Sequence, residues 1–425
     1  MSLREYVGFL RRAWRMFRGA KKTWRLPPRA RLLIIDRNTA YPLDEMFAHH
    51  APHVLDIRGE SVNLAVVLRA IPKLHLGALA YLEAYIDAVQ PTLILSRTDN
   101  NPMLWQLKRR PSATYTVALI QNGWRLDLEF EMPELLRDRG PAGPWLVDRV
   151  FAFGPTWSAQ VARRIPDVGV AVGSVLTNAR NASHAHGSSG AVVLVSTYRP
   201  AYASKGWDLG VPLYRGLDAG LARRALPLAI AAFSAATQAT LDLEGEFVQL
   251  HLPTCTWTLR PREHRGSSYD TIASGRAVIV DQSSLGYEAL ALGLRVGFVA
   301  AMVWSRETHR FGKPLEFGEK GPFWTNDPSE AEIERILDYL LTVSDEQWER
   351  DSGWIRDQLI VHDYGNTKLK RYVEGVLAGK GDVLAEEEAA SSREHPHAPG
   401  RGPTREGARE AGHPDRGGEG RGPRG

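Results

Sequence analysis

From Arg31 onward, short apolar runs alternate with stretches of helical spacing, and this alternation narrows the possible folds more than any other feature of the chain. The pattern predicts buried strands at Leu32–Asp36, Val54–Ile57, Thr92–Leu95, Thr116–Ile120 and Val150–Phe153, because continuous apolar runs of four or five residues suit strands covered on both faces. Between them, residues 62–71, 75–90, 101–108 and 156–164 read as helices. A second series predicts strands at Ala191–Val195, Phe247–Leu250, Thr256–Leu259, Ala277–Val280 and Val296–Ala300, with helices near 214–236, 285–292, 329–343 and 367–377. Strands alternating with helices imply parallel sheets with helices on both faces. The polar run Asn178-Ala-Arg-Asn-Ala-Ser-His-Ala-His-Gly-Ser-Ser-Gly190 between the two series has the composition of a linker. The expected fold class is therefore α/β: two doubly wound Rossmann-like domains, 32–177 and 191–380, joined by residues 178–190.

In open α/β sheets, ligands bind outside the carboxyl ends of the strands. Here those ends carry Asp36-Arg-Asn-Thr39, Ser96-Arg-Thr-Asp-Asn-Asn101, Gln121-Asn-Gly-Trp-Arg125, Ser196-Thr-Tyr-Arg199, Arg260-Pro-Arg-Glu263 and Asp281-Gln-Ser-Ser284. The segment Asp281-Gln-Ser-Ser-Leu-Gly-Tyr-Glu-Ala-Leu290 is the most informative. A strand stops, two serines stand where a helix N-cap belongs, and a short helix follows. Free N–H groups and the helix dipole at such a point favour a phosphate. Glu288, one turn in, could accept hydrogen bonds from ribose hydroxyls. Equally, Ser284 could only cap the helix and Glu288 could be solvated. Arg260 and Arg262, at what reads as a neighbouring strand end, favour the phosphate.

The two ends of the chain differ from its body. Residues 1–31 hold ten Lys/Arg and one acid, a net +9, so the remaining residues sum to −5 of the +4 total. A basic nucleic-acid-binding body is thereby excluded. Leu3, Tyr6, Val7, Leu10, Trp14 and Phe17 share one helical face opposite arginines, which predicts a basic amphipathic helix able to lie on an anionic membrane surface. A helix packed on the protein's own body satisfies the same pattern. Residues 381–425 contain 10 Gly, 5 Pro and no aromatic residue, and are expected to form a disordered tail. A lone cysteine, Cys255, excludes an internal disulfide and any zinc site built on two thiolates. No apolar run reaches the roughly 18–20 residues that cross a bilayer.

The Arg-Pro-Arg-Glu loop at 260–263 and Ser-Ser-Leu-Gly-Tyr-Glu-Ala-Leu at 283–290 resemble the donor-binding domain of GT-B glycosyltransferases. More closely, the chain is similar to bacterial surface carbohydrate biosynthesis proteins. That likeness runs through Leu33-Ile-Ile-Asp-Arg-Asn38, Thr98-Asp-Asn-Asn101, Ile120-Gln-Asn-Gly-Trp-Arg125 and Gly173-Ser-Val-Leu-Thr-Asn178. It continues through the serine loop, Gly321-Pro-Phe-Trp-Thr-Asn326 and His362-Asp-Tyr-Gly-Asn-Thr-Lys368. CDP-glycerol glycerophosphotransferases share the serine pair but carry functional histidines in a His-Gly and a His-Pro loop. The matching positions here are Asn122-Gly123 and Arg260-Pro261, which argues against that chemistry.

The resemblance implies a glycosyltransferase moving a sugar from a nucleotide-sugar donor to a lipid-linked or glycan acceptor, on the inner face of the cell membrane. Ser196, Arg199, Arg260, Arg262, Ser283, Ser284 and Glu288 are the candidate donor contacts, and Asn100, Gln121, Asn122 and Arg125 the candidate acceptor contacts. A general base is needed for the acceptor hydroxyl, for which Asp99 and then Asp36 are the candidates, although each could simply form a turn. His309 is a further candidate. No Asp-x-Asp triplet occurs, and His49, His50 and His53 show no third-ligand carboxylate on their own helical face, so no metal and no cofactor are expected. A sugar-nucleotide 2-epimerase and a non-catalytic nucleotide-sugar-binding scaffold are the alternatives.

Overall fold

The first sheet is built around the strands Leu32–Ile35, Leu93–Ser96 and Arg149–Ala152, in which every residue is buried. A computed structural model describes residues 18–70, 77–108, 110, 112–126, 147–180, 189–203, 210–232, 237–263, 266–281, 283–302, 310–312, 315 and 317–385. The helix expected within residues 3–17, His309, most of the 178–190 segment and nearly all of the expected tail lie outside these residues. In chain order the first strands are β1 (Lys21–Thr23), β2 (Leu32–Ile35), β3 (His53–Leu55), β4 (Ser61–Asn63), β5 (Leu93–Ser96), β6 (Thr116–Ile120), β7 (Arg149–Ala152) and β8 (Gly169–Ala171). Six of them form a wholly parallel sheet in the order β3-β2-β5-β6-β7-β8, with Leu33 opposite both His53 and Ile94, and Leu119 opposite Val150. The short pair β1-β4 is a separate parallel ribbon. Each fully buried Leu, Ile or Val of β2 and β5 contributes about 1.5–3 kcal/mol of hydrophobic stabilisation.

The second sheet comprises β9 (Val192–Val195), β10 (Leu228–Ala231), β11 (Trp257–Arg260), β12 (Ala277–Val280), β13 (Val296–Val299), β14 (Lys320–Gly321) and β15 (Trp324–Thr325). Its order is β11-β10-β9-β12-β13-β15-β14, and only the β14-β15 pairing is antiparallel. Both sheets are thus doubly wound. The strand order reverses between β2 and β5 in the first and between β9 and β12 in the second, and these switch points are where crevices open. Residues up to Val383 form one compact unit containing both sheets.

Two expectations fail in the second half. The apolar run after Pro227 is strand β10, not the end of a helix, and the helix Val211–Arg223 stops before it. A fully apolar stretch carries no periodicity that separates a central strand from a buried helix. Conversely Phe247–Leu250 lies inside the helix Gln238–His251, where Glu244 and Val248 are its buried positions, one turn apart. Helices Ser267–Ser274 and Asp345–Leu359 were not expected. The second is strongly polar; Trp348, Ser352, Ile355 and Leu359 turn inward at steps of four, three and four, and Gly353 is buried beside them.

The likeness motifs meet in pairs. Gly173 bridges His362, and the Asn178 side chain donates to Asn366 Oδ1 (3.0 Å) while accepting from the Asp363 N–H (3.0 Å). A Cβ at Gly173, whose φ is +81°, would lie 2.2 Å from the Val361 carbonyl oxygen, so only glycine allows this crossing. The chain returns there from the second sheet, and helix Thr367–Leu377 packs back on the first, with Tyr372 against Phe151 at 5.1 Å.

Candidate functional site

Asp36 follows β2 at the first switch point, with φ 77° and ψ 94°, a backbone conformation that non-glycine residues adopt at a cost of about 1–3 kcal/mol. Its carboxylate is buried and accepts from Arg58 (Nε 2.9 Å, Nη2 2.6 Å), from the Thr98 hydroxyl (2.6 Å) and from the Asn38 N–H (3.2 Å). Burial acts to raise its pKa, but the hydrogen bonds from Arg58 and Thr98 outweigh it and hold the group below the ordinary Asp value.

Across the same switch point, Asp99 is 0% exposed and grips Arg125 with both oxygens, at 2.9 Å and 2.7 Å. Oδ1 also accepts the Asn122 N–H at 3.2 Å, and the Asn122 side-chain oxygen accepts from Arg125 at 2.7 Å. Gln121 is buried and occupied at both ends, accepting the Phe153 N–H (2.7 Å) and donating to the Gly123 carbonyl (2.9 Å). It fixes the loop's shape. Asn100 is exposed at the rim.

That loop runs directly onto the second switch point. Ser283 is the N-cap of helix Ser284–Ala291, its hydroxyl accepting the Leu285 N–H at 3.2 Å. The Ser284 hydroxyl instead accepts the Trp124 N–H at 2.8 Å, and the Trp124 ring stacks on Tyr287 at 3.7 Å and 8°. Gly123 makes this approach possible, since a Cβ there would sit 3.1 Å from Ser284 Oγ. Ser196, ending β9, is buried and accepts the Tyr198 N–H at 3.1 Å. Arg199 is exposed and lies over the Tyr202 ring, 5.2 Å from its centroid.

Glu288 is not solvated. It is buried, and its two oxygens accept from the hydroxyls of Ser174 and Tyr269, the latter at 2.6 Å. Burial pushes its pKa up, partly offset by those two hydrogen bonds and by the charge of Arg97. Arg260 and Arg262 also stand elsewhere. Strand β11 is at the edge of the sheet, separated from β12 by β10 and β9, so its end is about 14 Å from the serine pair at ~4.8 Å per strand. Arg260 lines a separate cavity of about 440 Å³ with Pro261, Glu263, Ser267 and Asp270. The sequence places the two arginines beside the serines only if strand order follows chain order, which the reversal at β9 breaks.

Against this geometry the comparisons are specific about the fold. The structure of S. aureus MnaA with UDP superimposes with a TM-score of 0.51 at 12% identity, over 84% of this chain and 97% of that one. A Listeria monocytogenes structure described as a "putative UDP-N-acetylglucosamine 2-epimerase" gives 0.51 at 10% identity, over 83% and 97%. The wall teichoic acid polymerase TagF gives 0.49 at 12% identity, over 85% and 90%. Residues 224–376 match the model of a family described as "putative O-antigen biosynthesis protein". The chain has a GT-B-like fold. A search of curated proteins returns no significant match.

Arg97 is the residue of this GT-B-like cleft that sequence reasoning did not single out. It is buried, donates to the Tyr41 carbonyl, and lies in the field of Tyr269, Glu288 and Asp99; its Nε has no hydrogen-bond partner among the described residues. Its place directly after a strand was the only available signal. Ser174 was marked only as part of the Gly173–Asn178 stretch of the likeness, and Tyr269, inside a helix, gave no signal. The lone thiol, Cys255, is buried, and burial followed by the Asp218 carboxylate pushes its pKa up to about 12, so it is chemically quiet.

Proposed function

We propose that the chain is a glycosyltransferase of surface polysaccharide assembly, using a nucleotide-sugar donor and a lipid-linked or glycan acceptor. The observation that carries this reading is that loop 121–125, which follows β6 and is tied to Asp99 at the first switch point, is seated on the start of helix Ser284–Ala291 at the second. A donor in the β9/β12 crevice would put its phosphates near that helix start, within reach of Ser196, Ser283 and Ser284. Arg97 and Arg125 would supply guanidinium groups toward the leaving diphosphate. Arg199, on the exposed side of the β9 loop, would contact the outer part of the donor. The acceptor would approach over Asn100 and Asn122.

Asp99 is saturated as it stands, so its use as general base requires Arg125 to turn toward an anionic donor. The freed carboxylate would take the proton of the acceptor hydroxyl. The acceptor oxygen then bonds to the sugar's anomeric carbon as the bond to the diphosphate breaks, and the electron pair leaves with the nucleotide. Asp36, held by Arg58 and Thr98, would position the loop that carries Asp99. The match of residues 224–376 to an O-antigen family favours a polysaccharide product. Trp24 is 69% exposed beside Lys21, Lys22 and Arg25, which supports docking on an anionic membrane surface. Among the described residues no helix is long and apolar enough to cross a membrane.

The test is incubation of radiolabelled nucleotide sugars with the protein and a membrane extract. Label appearing in a lipid or glycan fraction supports the transferase. The likeness to the Listeria monocytogenes structure described as a 2-epimerase supports a second reading, a sugar-nucleotide 2-epimerase, for which the label would remain on the nucleotide as the C2 epimer.

A further inference from the structure

Two histidines adjacent in sequence reach the same carboxylate oxygen from the far end of the chain. His49 Nε2 and His50 Nε2 each lie 2.9 Å from Glu374 Oε1, and one ligand atom from each of the three residues falls within 4.8 Å of the others. Neighbouring side chains ordinarily diverge. These converge because residues 48–50 form a tight 3-10 turn, closed by Ala51 in the left-handed region at φ +49°, and the two rings sit 4.1 Å apart. His53 is not part of the group, since its Nε2 is paired with the Tyr85 hydroxyl at 2.9 Å. The carboxylate missing from the histidines' own helical face thus comes from helix Thr367–Leu377.

We propose that His49, His50 and Glu374 bind a divalent transition-metal ion of the zinc type. Two imidazole nitrogens and one carboxylate oxygen are a ligand set for zinc, nickel or copper, and two nitrogens disfavour magnesium and calcium. A tetrahedral ion with bonds of about 2.0–2.2 Å sets its ligand atoms about 3.3–3.6 Å apart, which lies between the 2.9 Å from each histidine to the carboxylate and the 4.8 Å that bounds the whole group. Glu374 and His49 are exposed, so water completes the shell. The site precedes β3 and is remote from the carboxyl ends of the strands, so it is not catalytic. It fastens the returning C-terminal helix to the first sheet, one turn before the contact of Arg31 with the Leu377 carbonyl.

The test is equilibrium dialysis of the chelator-treated full chain against zinc alone, with bound metal measured directly. Wild type is expected to hold one zinc that Glu374→Gln and the double variant His49→Asn/His50→Asn lose or bind at least about tenfold more weakly, and zinc should raise the melting temperature of wild type only. Metal-free melting curves of all three proteins show whether the variants fold. If Glu374→Gln melts apart from wild type, the histidine variant carries the comparison. Absence of zinc uptake by wild type overturns the proposal. So does equal uptake by the variants, which would assign the metal to other histidines such as the pairs His184/His186 and His395/His397.

Discussion

Replacing Asp99 by Asn tests whether the cleft is held by a buried ion pair. The substitution keeps the side chain's shape but turns one of the two acceptors facing Arg125 into a donor, losing one of the contacts at 2.9 Å and 2.7 Å. Arg125 then loses the opposing charge of Asp99 while it stays buried, with Arg97 close enough to the same side chain to add repulsion. Breaking one side of a buried pair costs about 3–5 kcal/mol. Asn retains one acceptor, so about 3 kcal/mol is expected. The assay is urea unfolding followed by both circular dichroism and tryptophan fluorescence, with coincident curves required before a free energy is drawn. Arg125→Met should cost a similar amount. The double variant Asp99→Asn/Arg125→Met should cost little more than either, a coupling of about 2 kcal/mol or more. Additive effects, or an Asp99→Asn protein within about 0.5 kcal/mol of wild type, would refute the argument and return Asp99 to being an unencumbered carboxylate.

Four further outcomes follow from the same geometry. Glu288 has a raised folded-state pKa, so its stabilising contribution is full below the ordinary Glu value and is lost as pH rises through the folded value. Glu288→Gln should therefore gain on wild type as pH rises from 4.5 toward 8, and parallel melting-temperature profiles would contradict this. Asp36 has a lowered pKa, so its contribution is present above the ordinary Asp value and is lost as pH falls through the folded value. Asp36→Asn should accordingly flatten acid unfolding below about pH 4, read by circular dichroism. Gly286→Ala places a methyl 2.5 Å from Val280 Cγ2 and 3.0 Å from Phe298 Cε1, and should cost about 1–3 kcal/mol in thermal unfolding. Trp24→Ser should weaken sedimentation with anionic vesicles while leaving the melting temperature within a degree or two of wild type.

The fold class was legible because fully buried parallel strands leave an unmistakable trace, as Leu32–Ile35 and Ala277–Val280 show. Leu228–Ala231 was not, because a buried strand and a buried helix look alike once every residue is apolar. The carboxyl-end loops also announced themselves, and Asp36, Asp99, Asn122, Arg125 and the serine pair gather at the two switch points. What chain order cannot carry is strand order. Arg260 and Arg262 are near the serines in sequence pattern and three strand spacings away in the sheet. Nor can it carry partners recruited from afar: Glu288 is buried by Ser174 and Tyr269, and the histidine pair meets Glu374 across more than 320 residues. The likeness motifs around Asn178 and His362 carried a signal whose content was structural, the crossing of two chain segments.

The central claim is that a nucleotide sugar binds where the 121–125 loop meets helix Ser284–Ala291. Its most direct measurement is calorimetric titration of UDP, GDP, CDP, CMP and dTDP and their sugars into wild type, Arg97→Met, and the edge-strand variant Arg260→Ala/Arg262→Ala. The account predicts binding of one nucleotide series to wild type, weakened at least about tenfold by Arg97→Met, as loss of a charge-assisted contact of about 1.5–3 kcal/mol requires, and unchanged in the edge-strand variant. Binding lost in the edge-strand variant but kept in Arg97→Met, or no binding by any of the nucleotides, would contradict it.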